Sequence, residues 1–290
     1  MCYFFSKKIT PSGNPTQHQG NPTFAEETFS SPFISPAMSM LDAFDLYNIL
    51  FIDIETVPGT NEFDELDEEL QELWGIKTRQ LLRRPAEEEI EYDEMSEVYG
   101  TRAGIYAEFG KIVCISVGII TKNPDNGEPL LRLKSFTNHV EASLLEDFSE
   151  LLNKRFDDPN KFALCGHNIR EFDIPYICRR MLINQLPFPR LLDIAGKKPW
   201  ETKHLIDTLE MWKFGDLKNY TSLRLLAAVF GFPSPKDDMD GSDVARVYWE
   251  DRDLDRIAHY CEKDVLATVQ LFLKMKRQPL LRNDQLVSVR

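Results

Sequence analysis

Asn48-Ile-Leu-Phe-Ile-Asp-Ile-Glu-Thr-Val-Pro58 is the stretch whose reading decides the fold. Apolar on both faces from Ile49 to Ile54, it reads as a strand inside a covered, mostly parallel sheet. Two acids, Asp53 and Glu55, interrupt the run and stand two residues apart. Side chains alternate along a strand, so both carboxylates leave the same face, one above the other. Burying two like charges without compensation costs several kcal/mol or forces one to take up a proton. A divalent cation is one compensation, because hard cations prefer carboxylate oxygens. The other reading is a strand whose end reaches solvent with two ordinary surface acids, and both stand open at this point.

Outward from this strand, the pattern supplies an α/β domain. Residues 111–121 form a second apolar strand, and the turn at 123–129 leads into a third over 130–136, a hairpin signal. A helix is predicted over 141–155, with Leu144, Leu145, Phe148, Leu151 and Leu152 on one face. Residues 162–167 read as a short buried strand, and 173–182 as a helix that tolerates Pro175 in its first turn. An edge strand is expected at 204–209, followed by helices over 222–230, 242–250 and 254–275. A strand, a hairpin, then alternating helices and strands make a mixed sheet flanked by helices.

The chain has 290 residues, is 42% hydrophobic and carries a net charge of −13. That balance argues against a general nucleic-acid coat protein, which needs clustered Lys and Arg. The charge is uneven, however. Residues 62–97 hold fourteen acids against four bases, a net of −10, so the remaining −3 leaves a nucleic-acid substrate open. This acidic segment, about 61–104, contains helical pieces such as 63–74 and is expected as an insertion or lid in a domain spanning 45–278. Residues 1–44 are expected to be a disordered extension rich in Ser, Pro, Thr, Gln and Asn, with Met38 and Met40 as alternative starts, and 279–290 a C-terminal tail. The five cysteines show no paired metal or redox spacing and fit reduced thiols in a cytoplasmic protein. No apolar run approaches the ~20 residues needed to span a bilayer, and the N-terminus lacks the pattern of a signal peptide.

Two further acids stand out. Asp173 lies where the strand at 162–167 passes into a helix, a position that also suits an N-cap. Asp264 lies beside the buried stripe of the last helix, formed by Ile257, Cys261, Val265, Thr268, Leu271, Phe272 and Met275, with Tyr260 one turn before it. A carboxylate aimed at a core calls for a partner or a metal.

Asp53-Ile-Glu-Thr, then Asn168-x-x-x-Phe-Asp173, then Tyr260-x-x-x-Asp264 resemble the three motifs of the DEDD 3′–5′ exonucleases, which have a ribonuclease-H-like fold. The Phe-x-Asp-Ile-Glu-Thr and Tyr-Cys-x-Lys-Asp forms are most similar to the proofreading domains of family B DNA polymerases. The segments from Lys197 to His204 and from Ser234 to Ser242 resemble a group of bacterial stand-alone proteins predicted to be polymerase-B-like 3′–5′ exonucleases. The resemblance covers roughly 45–275. It implies a two-metal-ion site, with Mg²⁺ as the default and Mn²⁺ as a substitute. Asp53 would bridge both ions, Glu55 and Asp264 would complete the first site, and Asp173 would serve the second. Tyr260 would orient the attacking water, since a phenol near pKa 10 stays protonated at neutral pH. The DEDD family also has a branch with a histidine five residues before the last aspartate, and His259 fills that position. Helix geometry favours Tyr260, which lies ~40° from Asp264 around the axis against ~140° for His259.

The implied activity is hydrolysis of 3′ ends of single-stranded nucleic acid, DNA in preference to RNA. Exoribonuclease activity is the alternative within the class; a catalytically inert binding domain is the alternative outside it, disfavoured because all four acids are present. A polymerase or repair factor is a conceivable partner. Thr56 is a candidate for holding the terminal 3′-hydroxyl, and Asn168 and Phe172 for touching the last nucleotides, although Asn168 equally suits a structural role in its turn. Asp207 reads as a supporting residue. The segment 197–224 mixes Lys197, Lys198, Lys203, Lys213, Lys218 and Arg224 with Trp200, Trp212, Phe214 and Tyr220, which suits either a single-strand path or a solvated surface over aromatic core. Asp237, Asp238 and Asp240 lack calcium-loop spacing and are expected to form a turn before the helix at Ser242.

Overall fold

The computed structural model describes residues 44–289, apart from 217–219 and 234–238. The expected N-terminal extension, except its last residue Phe44, and also Lys218, Asp237 and Asp238 therefore lie outside the described residues. The quoted stretch forms β1 (Ile49–Pro58), with both faces covered. It pairs antiparallel with β2 (Gly110–Lys122), which pairs antiparallel with β3 (Pro129–Thr137). On its other side β1 runs parallel to β4 (Ala163–Gly166), and β4 parallel to the edge strand β5 (Leu205–Asp207). A last strand, β6 (Leu286–Ser288), runs parallel to β3, giving the order β5-β4-β1-β2-β3-β6. This is a mixed six-stranded α/β sheet flanked by helices, an arrangement consistent with the ribonuclease-H-like fold that the motif resemblance implies.

The helices are α1 (Glu68–Leu81) and α2 (Tyr92–Arg102) in the acidic segment, then α3 (Glu141–Arg155), α4 (Asp173–Ile183), α5 (Thr208–Lys213), α6 (Leu223–Phe230), α7 (Val244–Arg246) and α8 (Leu254–Met275). Alternation along β1 divides its neighbours. Leu50, Ile52 and Ile54 join Leu144, Leu145, Phe148, Ile174 and Ile177 under α3 and α4. Ile49 and Phe51 face the other way, against Val265, Val269 and Phe272 of α8, where the Phe51 and Phe272 rings meet edge to face at 5.6 Å. Asp53 and Glu55 continue this second series, so they emerge on the α8 side.

Three local differences from the sequence reading have physical reasons. The expected helix over 242–250 is a short α turn at Val244–Arg246 that widens into a π-helical turn at Val247–Asp251, ended by Arg252 at φ 56°. Residues 205–209 split into a three-residue strand and the start of α5, because Asp207 caps that helix by accepting from the N–H groups of Leu209 and Glu210. The segment set apart as a tail carries β6, whose pairing with Leu131–Leu133 and the bond from Gln285 Nε2 to the Pro129 carbonyl (2.9 Å) cover the outer edge of β3. Among the described residues no helix is long and apolar enough to cross a membrane.

One buried ion pair fixes the helices to the sheet. The register of β1 with β2 slips between Glu55 and Thr56, which face Cys114 and Ile112, so Val113 is the extra residue of a bulge. At that bulge the Ile112 N–H donates to Glu141 Oε1 of α3 at 2.7 Å. Arg180 of α4 binds both oxygens of the same carboxylate, with Nη2 at 2.6 Å from Oε2, and Asn184 Nδ2 donates to Oε2 at 2.9 Å. Removing one member of a buried charged pair leaves the other uncompensated. Glu141→Ala is therefore expected to destabilise the protein by about 3–5 kcal/mol. Glu141→Gln, which keeps an acceptor for Ile112, should cost less. Urea unfolding measures both, and a loss within error for Glu141→Ala would show that the pair does not anchor α4.

Candidate active site

The site gathers at the end of β1, where the shorter β4 has already stopped. Pairing between the two strands is confined to Ile49–Phe51 of β1, so the N–H of Ile54 has no strand partner there and donates to Asp173 Oδ1 at 3.2 Å. Asp173 thus does more than begin α4; it is latched across the strand that carries the first two acids. The loop before it is held just as firmly. Asn168 takes the left-handed conformation at φ 67°, and its N–H donates to Asp207 Oδ1 (2.9 Å) while that of Arg170 donates to Oδ2 (3.0 Å). The Arg170 guanidinium adds bonds to the carbonyls of Thr202 and Leu205. Asp207 is the supporting residue expected, bracing the loop and α5 together.

From the other side α8 contributes Tyr260, Cys261 and Asp264. The helix runs without interruption from Leu254, with Asp253 capping it through the N–H of Arg256. Tyr260 lies half-buried on the inner side, with its hydroxyl hydrogen-bonded to the Asp264 carboxylate. His259 is exposed and lines a separate cavity of about 620 Å³ with Asp255, Glu262 and Ser288. Cys261 is the residue that sequence reasoning missed as part of the site. Its Sγ lies 3.4 Å from both the carbonyl oxygen and Oδ2 of Asp53. A ligand atom from each of Asp53, Glu55 and Cys261 lies within 4.8 Å of the others. The signal was available: Cys261 stands three residues before Asp264 on the buried stripe, and so shares its helix face.

Electrostatics mark this cluster off from the rest of the acidic surface. Burial first, then Asp264, Asp173 and Glu55, raise the pKa of Asp53 well above the usual carboxylate range. Burial and Asp264 do the same to Glu55. Asp173 is pushed up to about 7, chiefly by burial and against the pull of its backbone hydrogen bonds. The Tyr260 hydroxyl is driven far above its ordinary value by burial, Asp264, Glu55 and Asp53. Burial, with Cys114 next, likewise raises the Cys261 thiol. A protonated thiol donating to Asp53 is a poor ligand for a hard cation, so the fit is to carboxylate oxygens, with Cys261 holding one of them in place.

The remaining candidates are distributed as follows. Thr56 leaves the opposite face of β1 from Glu55, and its hydroxyl shares a hydrogen bond with Tyr176. Phe172 is half-buried, with its ring 5.5 Å from that of Tyr176. In the segment 197–224, Trp212 packs on Phe230, whereas Trp200, Phe214 and Tyr220 are exposed. Tyr220 lies close enough to the site for Asp173, Asp207 and Asp53 to raise its pKa, after burial. Asp240 accepts from the N–H of Ser242 in the turn before α7.

The carboxylate cluster at the end of the central strand is a group that could hold a metal ion. Residues 105–283, more than half the chain, match the family described as predicted 3′–5′ exonuclease related to the exonuclease domain of PolB. The chain belongs to that family. The matched segment contains Asp173, Tyr260 and Asp264, while Asp53 and Glu55 precede it. Among solved structures the chain is similar to a family B DNA polymerase from the hyperthermophilic archaeon Pyrobaculum calidifontis, at 17% identity and a TM-score of 0.47, covering 79% of this chain and 24% of that one. This chain therefore spans about a quarter of that polymerase. No curated protein matches it.

The raised carboxyl pKa values carry a pH dependence whose sign is fixed. Below about pH 4 these groups are protonated in both folded and unfolded chains. From there to about 7, the value to which burial pushes Asp173, the folded protein holds more protons than the unfolded chain. Stability then falls as pH rises. In EDTA the melting temperature is expected to drop between pH 5 and 8, and Asp173→Asn should flatten that slope. Mg²⁺ or Mn²⁺ should restore stability most at the alkaline end. Equal slopes for the parent and Asp173→Asn would mean that this group is not forced toward its neutral form.

Proposed function

We propose that this protein is a metal-dependent 3′–5′ exonuclease that hydrolyses the terminal phosphodiester of single-stranded nucleic acid, DNA in preference to RNA. The observation that carries the reading is the meeting of Asp53 and Glu55 from β1 with Asp173 from α4 and Asp264 from α8, where Asp264 adds to the burial that raises the pKa of the other three. Those oxygens suit Mg²⁺, with Mn²⁺ as a substitute. Bound there, two divalent ions would stabilise the attacking and leaving oxygens of the phosphoryl group.

The chain's own groups do the positioning. Asp53, held by the Cys261 thiol, would serve both ions; Glu55 and Asp264 would complete one site, and Asp173, latched to Ile54, would serve the other. Tyr260 keeps its proton at neutral pH, so it orients the attacking water and does not act as the base. Asn168 and Phe172 are our candidates for touching the last nucleotides and Thr56 for holding the terminal 3′-hydroxyl, although Thr56 leaves the opposite face of β1 from Glu55; exposed Tyr220 offers a ring for stacking.

Incubation of pure protein with end-labelled single-stranded DNA and RNA, in Mg²⁺ and in EDTA, tests the reading directly. Asp53→Ala and Asp264→Ala should each lose at least about 10³-fold in rate, or about 4 kcal/mol of transition-state stabilisation. Undiminished digestion by Asp53→Ala, freed of contaminating nucleases, would sink the assignment. Tyr260→Phe should slow hydrolysis about 10- to 100-fold with little change in binding, and His259→Ala should do little. The reverse pattern, with a pH limb near ~6.5 lost in His259→Ala, would move the role to the histidine.

A further inference from the structure

The acidic segment between β1 and β2 is a folded unit with a surface of its own. Phe63, Trp74, Tyr99 and Ala103 form a separate buried core, and Trp74 Nε1 donates to the Met95 carbonyl at 3.0 Å. At Gly75 the helices approach so closely that a Cβ would stand 2.9 Å from Met95 Sδ. The two helices border an open cavity of about 540 Å³ lined by Ile76, Ile90, Tyr92 and Met95 together with Glu68, Glu72 and Arg79. Ile76 is 50% and Tyr92 49% exposed, and Leu73, on the same face of α1, is 46% exposed.

Acids outnumber bases around the groove, and the base in its lining, Arg79, is tied to a backbone carbonyl. Three of the four bases in residues 62–97 have internal partners. Arg84 is paired with Glu88 and Glu94, Arg79 donates to the Glu88 carbonyl, and Lys77 lies 4.0 Å over the Tyr106 ring. Exposed apolar side chains on a strongly acidic segment mark a binding surface, and a net of −10 repels nucleic acid. We infer that this groove docks a basic amphipathic helix of a partner protein, its apolar face against Ile76 and Tyr92 and its Lys or Arg side chains against Glu68 and Glu72. The inference stands apart from the nuclease reading: α1 and α2 precede the residues matched by the family and contain none of the four site acids.

The probe is a fluorescein-labelled helical peptide with leucine and lysine on opposite faces, beside one of the same composition in scrambled order. Anisotropy should show the amphipathic peptide bound at least about 10-fold more tightly than the scrambled one. Ile76→Ser combined with Tyr92→Ala, which leaves the charge unchanged, should abolish the difference. Glu68→Gln with Glu72→Gln should weaken binding and reduce its salt dependence. Circular dichroism and nuclease activity should match the parent in both double variants. Equal binding of the two peptides, or indifference to Ile76→Ser with Tyr92→Ala, overturns the proposal. So does a dimer that this substitution dissolves, which assigns the groove to a second copy. Binding that appears only after removal of residues 1–43 assigns it to the chain's own extension and overturns the proposal as well.

Discussion

Repulsion among the carboxylates at the end of β1 is the constraint to which the surrounding structure answers. Acids raised well above their ordinary pKa by burial and by one another hold the folded state at an electrostatic disadvantage in the absence of a cation. Apolar packing must outweigh it. Phe51, Val265, Val269 and Phe272 lie directly behind the cluster and clamp α8 to β1, while the Glu141–Arg180 pair clamps α4 from the opposite face. Each acid is thus carried by an element that cannot yield without exposing core.

The same constraint explains the polar details nearest the site. A strand, a helix start and a helix interior approach from three directions, and each needs a local lock. Asp173 uses the Ile54 N–H that the short β4 leaves open, Asp53 has the Cys261 thiol, and Asp264 has the Tyr260 hydroxyl. The lock on the 168–170 loop is Asp207, an acid whose own oxygens are taken up by backbone N–H groups. Asp207 is thus satisfied by three or more backbone donors, whereas Asp53, Asp173 and Glu55 keep raised pKa values.

Much of this was legible in the sequence because the signals were periodic. The apolar run at 49–54 fixes a covered strand, alternation puts Asp53 and Glu55 on one face, and the stripe of the last helix gives both of its ends, Leu254 and Met275. The continuity of that helix also separates Tyr260 from His259, as one turn of geometry requires. What was not legible depended on contacts distant in sequence. Cys261 looks like any small core residue until Asp53, 208 positions away, is brought beside it. The π-helical turn at Val247–Asp251 replaces an ordinary helical pattern. Three residues at 286–288 become a strand only because β3 offers them an open edge.

The negative charge of the chain thus has two physical meanings. At the end of β1 the acids are few, buried and close, so their repulsion is barely screened and a bound divalent cation is the natural relief. On α1 and α2 the acids are many but exposed, water and salt carry most of their field, and the segment folds around Trp74 in spite of them. Charge of the first kind selects an ion at contact distance. Charge of the second kind acts at longer range, and gains direction only where it borders something apolar. Glu68 and Glu72, in one lining with Ile76 and Tyr92, make such a border. With the proposed function and docking, substrate and partner would be sorted by charge: a polyanion would be drawn to where cations are held, and a basic helix to where they are not.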